Sequence, residues 1–241
     1  MSALDDARRD LVYANRILAH EGVVDAYGHV SVRHPDNPER FLLSCSRSPE
    51  LVEESDIMEF TLDGEPVDPG AGQPYLERFI HAAVMAERPE INSVIHSHAE
   101  EVIPFGVTKT PLRPVFHVGS RMGHVASWWD IQDRFGETNL LVTNMDHGRD
   151  MAKALGLNKV VLMRGHGFTA ATEALYTTVF AAVYTQVNAR VLTSALGMSD
   201  EVMYLSEAEI DNMAGSGKMG SVGQIRAWEY FCRRAGCGGK G

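Results

Sequence analysis

The hydrophobic positions at the start of the chain recur at helical spacing. They are Leu4, Ala7, Leu11, Ala14, Ile17 and Leu18, and Gly22 follows them. Residues three and four positions apart share one face of a helix. This pattern therefore predicts an amphipathic first helix that ends before the glycine.

Short alternating or β-branched segments predict a sheet. Residues 28–33 alternate between apolar and polar, and residues 41–44 are the predicted hairpin partner across a turn that contains two prolines. The predicted strands, in chain order, cover residues 28–33, 41–44, 58–61, 91–98, 115–118 and 160–163. Asp63 and Gly64 form a predicted tight turn after the third of them.

Further helices are predicted over residues 75–86, 146–155, 172–196 and 225–234. The glycine-rich residues 215–223 are predicted to form a mobile loop, and residues 236–241 a frayed tail. The sequence shows no internal repeat and no linker long enough to divide it. We therefore expect residues 1–241 to form one α/β domain, with a mostly antiparallel central sheet flanked by helices.

The charge of the chain limits the classes of partner. Its 241 residues carry a net charge of −10. Nucleic acids and anionic membranes bind clusters of Lys and Arg. The chain lacks such clusters, so we expect neither as a partner. The negative net charge does not exclude a small acidic substrate, because a few arginines can reverse the potential locally. The three cysteines have no disulfide-like spacing, and the chain shows no signal-peptide pattern and no membrane-spanning run. A cytoplasmic location is expected.

Three histidines predict a metal site. His96 and His98 are two positions apart on a predicted strand, so their side chains project from the same face. His166 lies between two glycines directly after the strand over residues 160–163. Three imidazoles that leave coordination positions open suit a divalent metal. The alternative is a pair of structural histidines together with a surface histidine in a turn.

Glu77 is the fourth candidate of this site. It is four residues before His81, on one face of the predicted helix over residues 75–86. Near a metal, its carboxylate would act as a ligand or as a proton carrier. The alternative is that Glu77 is exposed to solvent, as most helical glutamates are.

The sequence resembles the class II aldolase/adducin superfamily, which includes fuculose- and ribulose-phosphate aldolases and epimerases. Four motifs carry the resemblance, in family order: residues 28–33, the pair of Glu77 and His81, residues 94–98 and residues 164–167. The resemblance implies that His96, His98 and His166 hold the metal and that Glu77 is the acid or base. It also implies a three-layer α/β/α fold and a homotetramer with active sites between subunits.

Departures from the sugar-phosphate aldolases indicate a different substrate. His29, the Ser46-Arg47 loop and Tyr75-Leu76 stand where those relatives bind phosphate with Asn and small hydroxyl residues. An arginine can grip a planar carboxylate with two parallel hydrogen bonds. The candidate substrate-binding residues are His29, Ser46, Arg47 and Tyr75, with Leu76 and Phe116 as apolar walls. Alternatively, Arg47 makes a surface ion pair.

These residues resemble the branch of the superfamily that decarboxylates hydroxylated aromatic or pyridine (di)carboxylates. The expected function is a metal-dependent carbon–carbon lyase that releases CO2 through a metal-stabilised, enolate-like intermediate. One divalent ion per subunit is expected, Mn2+ or Zn2+ first, with Fe2+ and Co2+ as alternatives. Three other functions stay open. They are an aldolase or epimerase of non-phosphorylated hydroxy-carbonyl compounds, a non-haem iron oxygenase, and a non-catalytic, adducin-like module.

Overall fold

A seven-stranded sheet forms the middle layer of the computed structural model, which describes residues 2–216 and 221–238. The strands are β1 (His29–Arg33), β2 (Arg40–Ser44), β3 (Ile57–Thr61), β4 (Ser93–Ser97), β5 (Ser127–Trp129), β6 (Val160–Met163) and β7 (Gly167–Thr172). Their order across the sheet is β3-β2-β1-β4-β7-β6-β5. Only β5 and β6 run parallel; the other neighbouring strands are antiparallel. The prediction of a mostly antiparallel sheet is confirmed, with one parallel pair at the edge.

Helices cover both faces of the sheet. They are α1 (Ala3–His20), α2 (Arg78–Glu87), α3 (Ile103–Gly106), α4 (Gln132–Phe135), α5 (Met145–Leu155), α6 (Leu175–Met198), α7 (Glu207–Ser216) and α8 (Val222–Arg234). Three short 3-10 helices cover Pro49–Leu51, Glu54–Asp56 and His117–Met122. Among the described residues, no helix is both long and apolar enough to cross a membrane.

Two hydrophobic cores lie on opposite faces of the sheet. Consecutive strand residues alternate between them: Phe41 packs with α2 and α5, whereas Leu42 packs with α1 and α6. Val94 and Ile95 divide in the same way. Because side chains alternate across a strand, these strands carry apolar residues on both faces. The predicted three-layer α/β/α arrangement is confirmed.

The sequence pattern did not predict two of the strands, and one strand that it did predict is wrong. β5 and β7 were not predicted, and residues 115–118 form no strand, since a 3-10 helix begins at His117. Asn188 of α6 explains the difference. Its side-chain oxygen accepts from the Val115 backbone N–H at 3.0 Å, and its amide nitrogen donates to the Arg113 carbonyl at 2.8 Å. A helix side chain therefore satisfies the backbone groups that a strand partner would have taken.

The ends of several elements also differ from the prediction. The helix predicted over residues 172–196 begins at Leu175, because Thr172 belongs to β7 and its hydroxyl meets that of Thr178 at 2.7 Å. Of the predicted mobile loop 215–223, the first two residues belong to α7 and the last two to α8, and residues 217–220 lie outside the described residues. In the predicted tail, Cys237 is buried, and residues 239–241 lie outside the described residues.

Candidate metal centre and its cavity

The structure brings the three histidines predicted as metal ligands together. His96 is in β4 and His98 follows it, while His166 lies in the turn between β6 and β7. The Nε2 atom of His98 is 2.9 Å from Nε2 of His96 and 3.0 Å from Nε2 of His166. A Cβ on Gly167 would lie 2.1 Å from the Ser97 carbonyl oxygen. Only glycine allows this approach of β7 to β4, which places His166 beside the other two imidazoles.

Glu77 completes the cluster. Its Oε2 lies 3.6 Å from His96 Nε2 and 3.5 Å from His166 Nε2. One ligand atom from each of the four residues lies within 4.8 Å of all the others. Glu77 is 8% exposed, so the alternative of a solvent-exposed glutamate is wrong.

The helix that carries Glu77 starts later than predicted. α2 begins at Arg78, so Glu77 stands at its N-terminal boundary and Tyr75 precedes the helix. The carboxylate of Glu77 makes no capping hydrogen bond to the helix; instead its Oε1 accepts from the Val142 backbone N–H at 2.9 Å. This bond directs the other oxygen towards the histidines.

The donor set fits a divalent cation. His166 Nδ1 is 3.0 Å from the Leu140 carbonyl oxygen, which can only accept, so Nδ1 carries the proton and Nε2 presents a lone pair. Burial lowers the pKa of His96 well below its ordinary value, and burial together with the His166 ring lowers the pKa of His98. Both rings are therefore neutral near pH 7. Neutral imidazoles and one carboxylate are ligands for Zn2+, Mn2+, Fe2+ or Co2+.

A cavity of about 520 Å³ opens beside this cluster. All four predicted substrate-binding residues line it: His29, Ser46, Arg47 and Tyr75. Glu77 and His98 form the wall shared with the cluster, and Leu76 and Leu141 add apolar surface. Phe116, predicted as an apolar wall, is not part of the lining and packs near Gly119 instead.

The side chain of Arg47 is already paired. Its Nη1 lies 2.8 Å from Asp56 Oδ2, and its side chain is 38% exposed. The ion pair considered as the alternative for Arg47 is therefore present. Tyr75 holds the backbone of Arg47 in place. Its hydroxyl donates to the Arg47 carbonyl and accepts from the Arg47 N–H at 3.3 Å.

His29 is held by a residue that the sequence analysis did not assign to the site. Its Nδ1 lies 2.6 Å from Nε2 of His81, and His81 Nδ1 lies 2.6 Å from the Ser31 hydroxyl. The spacing did contain the signal: His29 and Ser31 share one face of β1, and His81 is one turn after Glu77. The contributions of Leu140 and Val142 left no signal, since both act through backbone atoms.

Comparison with known proteins agrees with this architecture. Residues 9–193 match the family described as the Class II Aldolase and Adducin N-terminal domain. The decarboxylase tropJ of Talaromyces stipitatus is 33% identical, over 96% of this chain and 94% of the relative. A 3,4-dihydroxyphthalate decarboxylase of Arthrobacter keyseri is 31% identical, over 87% of this chain and 88% of the relative.

A solved structure shows the same fold. An aldolase II superfamily protein from Pseudomonas syringae superposes with a TM-score of 0.80 at 20% identity, covering 98% of this chain and 94% of that one. The family match runs from within α1 to most of α6, and it includes all four residues of the cluster. The chain therefore belongs to the class II aldolase and adducin family, as a lyase-type enzyme similar to the decarboxylases of that family.

Proposed function

We propose that this protein is a metal-dependent decarboxylase of hydroxylated aromatic or pyridine (di)carboxylates. The observation that carries the proposal is the position of the Glu77 and histidine cluster at one wall of the 520 Å³ cavity. The rest of the cavity lining includes the rings of His29 and Tyr75, whose centroids are 4.6 Å apart, and the Arg47 loop. A flat acid with a hydroxyl group suits these walls.

The proposed ligands are His96, His98 and His166, with Glu77 as a fourth group close enough to bind or leave. A divalent ion held there supplies Lewis-acid stabilisation of negative charge on the substrate. We propose one ion per subunit, Mn2+ or Zn2+ first. His166 is oriented for this task by the Leu140 carbonyl, because a fixed Nδ1–H keeps the Nε2 lone pair directed at the centre.

Glu77 is proposed to move the proton. In decarboxylation the bond between the ring carbon and the carboxylate breaks, CO2 leaves, and the electron pair stays on the carbon until a proton arrives. Oε2 of Glu77 faces the cluster and the residue lines the cavity, so this oxygen is the group we assign to deliver that proton. The Val142 N–H holds Oε1 and thereby keeps Oε2 in place.

The relatives support this chemistry. The Arthrobacter keyseri protein carries the name of a dihydroxylated aromatic dicarboxylate, and its identity to this chain extends over most of both sequences. The altered phosphate loop points the same way, since Arg47, Tyr75 and Leu76 line the cavity in this chain. The homotetramer with active sites between subunits, implied by the family resemblance, is part of the proposal and is tested by size-exclusion chromatography with light scattering.

The test is CO2 release by the metal-loaded protein. The substrates are 3,4-dihydroxyphthalate and other hydroxylated benzoates and pyridine carboxylates, and the competitor is L-fuculose 1-phosphate. We expect CO2 from at least one hydroxy acid, and none from the His96→Ala variant. Release of an aldehyde from a sugar-like substrate, without release of CO2, would indicate an aldolase. Oxygen consumption would indicate an oxygenase, and a protein that binds no metal would be an adducin-like module.

A further inference from the structure

Two large apolar side chains on the wall of the cavity are exposed. Tyr27 is 68% exposed and Leu76 is 62% exposed, and both line the 520 Å³ cavity. They belong to different segments, because Tyr27 lies between α1 and β1 and Leu76 directly precedes Glu77. A single exposed tyrosine or leucine is common on a protein surface, whereas two that line one cavity indicate a surface that a ligand covers.

The backbone that carries Tyr27 is held at both ends of its loop. The hydroxyl of Ser97 in β4 donates to the Val23 carbonyl at 2.6 Å. A Cβ on Gly28 would lie 3.0 Å from a carbonyl oxygen of β4, and Gly28 has a φ of 92°, so a glycine allows the loop to approach this strand. Between these points, the Tyr27 N–H donates to Asp25 Oδ1 at 2.8 Å. The exposed ring therefore projects from a backbone with a defined position.

Leu76 lies between two neighbours that are also held. The hydroxyl of Tyr75 is hydrogen-bonded to the backbone of Arg47. Oε1 of Glu77 accepts from the Val142 N–H at 2.9 Å. A side chain that stays exposed contributes little to folding, because it buries little apolar surface. Packing of the core therefore does not explain why the chain presents Leu76, or Tyr27, to the cavity.

Both side chains lie beside the candidate metal centre. The ring centroid of Tyr27 is 6.3 Å from that of His98, and Leu76 is the sequence neighbour of Glu77. A ligand whose carboxylate and hydroxyl reach the cluster from the cavity therefore brings its carbon skeleton close to these two side chains. An aromatic ring gains most from that position, since it can pack against the tyrosine ring and bury apolar surface on the leucine.

We infer that Tyr27 and Leu76 contact the ring of the bound hydroxy acid and determine the preference for aromatic over aliphatic acids. The contact of Tyr27 is made by its ring and not by its hydroxyl. The inference rests on the proposed function and narrows its substrate class by the carbon skeleton. An aliphatic hydroxy acid presents the same carboxylate and hydroxyl to the cluster but leaves both side chains exposed.

The experiment compares two ligands on the full-length, Zn2+-loaded protein by competition calorimetry, in which 3-hydroxypropanoate displaces 2-hydroxybenzoate. Both ligands have a hydroxyl and a carboxylate on neighbouring carbons, and only the second has a ring. Tyr27→Ala should weaken the binding of 2-hydroxybenzoate roughly 3- to 10-fold more than that of 3-hydroxypropanoate. Contacts of the carboxylate and hydroxyl with the metal are present in both proteins, so they cancel. Equal losses for the two ligands would overturn the inference.

Three further variants identify the groups responsible. Tyr27→Phe keeps the ring and should keep the wild-type preference; a loss as large as that in Tyr27→Ala would assign the contact to the hydroxyl and contradict the inference. Leu76→Ala should lower the preference roughly 2- to 5-fold. Leu157→Ala is its matched control, because Leu157 is 90% exposed and lies outside the cavity lining. Equal effects of the two leucine variants would contradict the role of Leu76. All these positions are exposed, so we expect each variant to fold, which circular dichroism checks.

A crystal structure of the Zn2+-loaded protein with 2-hydroxybenzoate gives a second test. The ligand ring should lie within about 4.5 Å of the Tyr27 ring. A second copy of the chain that covers Tyr27 in place of the ligand would overturn the inference. The two proposals also fail separately. CO2 release together with equal losses of both ligands in Tyr27→Ala would leave only the decarboxylase standing, whereas a ring-selective loss without CO2 release would leave only the ring contact standing.

Discussion

The carbonyl oxygen of Leu140 lies 3.0 Å from Nδ1 of His166, and Leu140 holds this position with a backbone φ of 66°. No other non-glycine residue in the described part of the chain has a positive φ. Two residues later, the Val142 N–H binds Glu77 Oε1 at 2.9 Å. One short loop thus orients two of the four residues in the cluster. Such a conformation costs about 1–3 kcal/mol and persists where the surrounding structure enforces it.

Substitution of Leu140 tests this dependence. Leu140→Val keeps an apolar side chain, but β-branching disfavours a positive φ. The carbonyl should then shift away from His166, and Zn2+ affinity should fall roughly 10-fold or more, as for other residues that orient metal ligands. Competition with a chromogenic chelator measures the affinity. Leu140→Gly is the control: it adopts this φ freely and should lose less affinity than the valine variant. The opposite ranking would show that the carbonyl does not orient the imidazole.

Each of the three histidines should be necessary for the metal. His96→Ala, His98→Ala and His166→Ala each remove one of three converging Nε2 atoms. We expect each variant to lose most of its metal while it keeps its circular dichroism spectrum, because the histidines belong to a preformed sheet. Metal analysis of protein purified without chelators is the measurement. A variant with full metal content and full turnover would show that its histidine is not a ligand.

Glu77→Gln separates proton transfer from shape. The amide can still accept from the Val142 N–H, but it presents a neutral group to the histidines. Turnover should drop by roughly 10²-fold or more, while the protein retains metal with weaker affinity. Glu87→Gln, at the C-terminal end of α2, is the matched control, because Glu87 is exposed and pairs with Arg149, at 3.8 Å, rather than with the histidines. Wild-type turnover in Glu77→Gln would leave Glu77 with a structural role alone.

The sequence predicted the cluster better than the elements that connect it. His96 and His98 were readable from their spacing on a β-branched strand, and His166 from its two glycines. β7 was missed because Gly167, Ala170 and Ala171 are small and carry little strand preference of their own. The close approach of β7 to β4 requires such residues, and a propensity scale cannot express that requirement.

The groups that orient the cluster were less accessible to sequence reasoning. The Leu140 carbonyl and the Val142 N–H are backbone atoms, so the residue types at these positions do not reveal their roles. Arg47 shows the opposite difficulty. Its residue type fits a carboxylate, and the ion pair with Asp56 depends on how the connection between β2 and β3 folds back on itself. The sequence pattern therefore identified the candidate side chains, whereas their hydrogen bonds and ion pairs depend on tertiary contacts.

The ion pair of Arg47 leads to a prediction about substrate binding. Asp56 Oδ2 holds Arg47 Nη1 at 2.8 Å and also accepts from the Glu53 N–H at 2.8 Å. If Arg47 grips a substrate carboxylate with its remaining N–H groups, Arg47→Lys should raise KM, because a point charge replaces a planar fork.

The control for Arg47 is a change in the substrate. Conversion of the gripped carboxylate to an amide should weaken binding to the wild type by about 1.5–3 kcal/mol, the range for a charged hydrogen bond. The loss from Arg47→Lys and the loss from the amide should not add, since both remove one interaction. Fully additive losses would mean that Arg47 does not bind this carboxylate and that its role is the ion pair with Asp56.

Buried neutral histidines predict a loss of stability in acid. Burial lowers the pKa of His81 to about 3 in the folded protein, whereas an unfolded histidine titrates near 6.5. Between these values the unfolded chain binds a proton that the folded chain does not, so stability is complete above pH 6.5 and falls as the pH drops towards 3. At pH 4.5 this residue alone should cost about 3 kcal/mol. Burial lowers the pKa of His29 and His96 in the same direction.

Urea denaturation of the metal-free protein at pH 7 and pH 4.5 measures the total effect, and His81→Gln isolates one residue. Glutamine fills a similar space without a titrating proton, so the difference in unfolding free energy between the two pH values should shrink by about 3 kcal/mol in this variant. The comparison uses differences between pH values, so a constant destabilisation by the substitution cancels. An unchanged difference would mean that the pKa of His81 is not lowered in the folded protein, so that both of its ring nitrogens carry protons at pH 4.5.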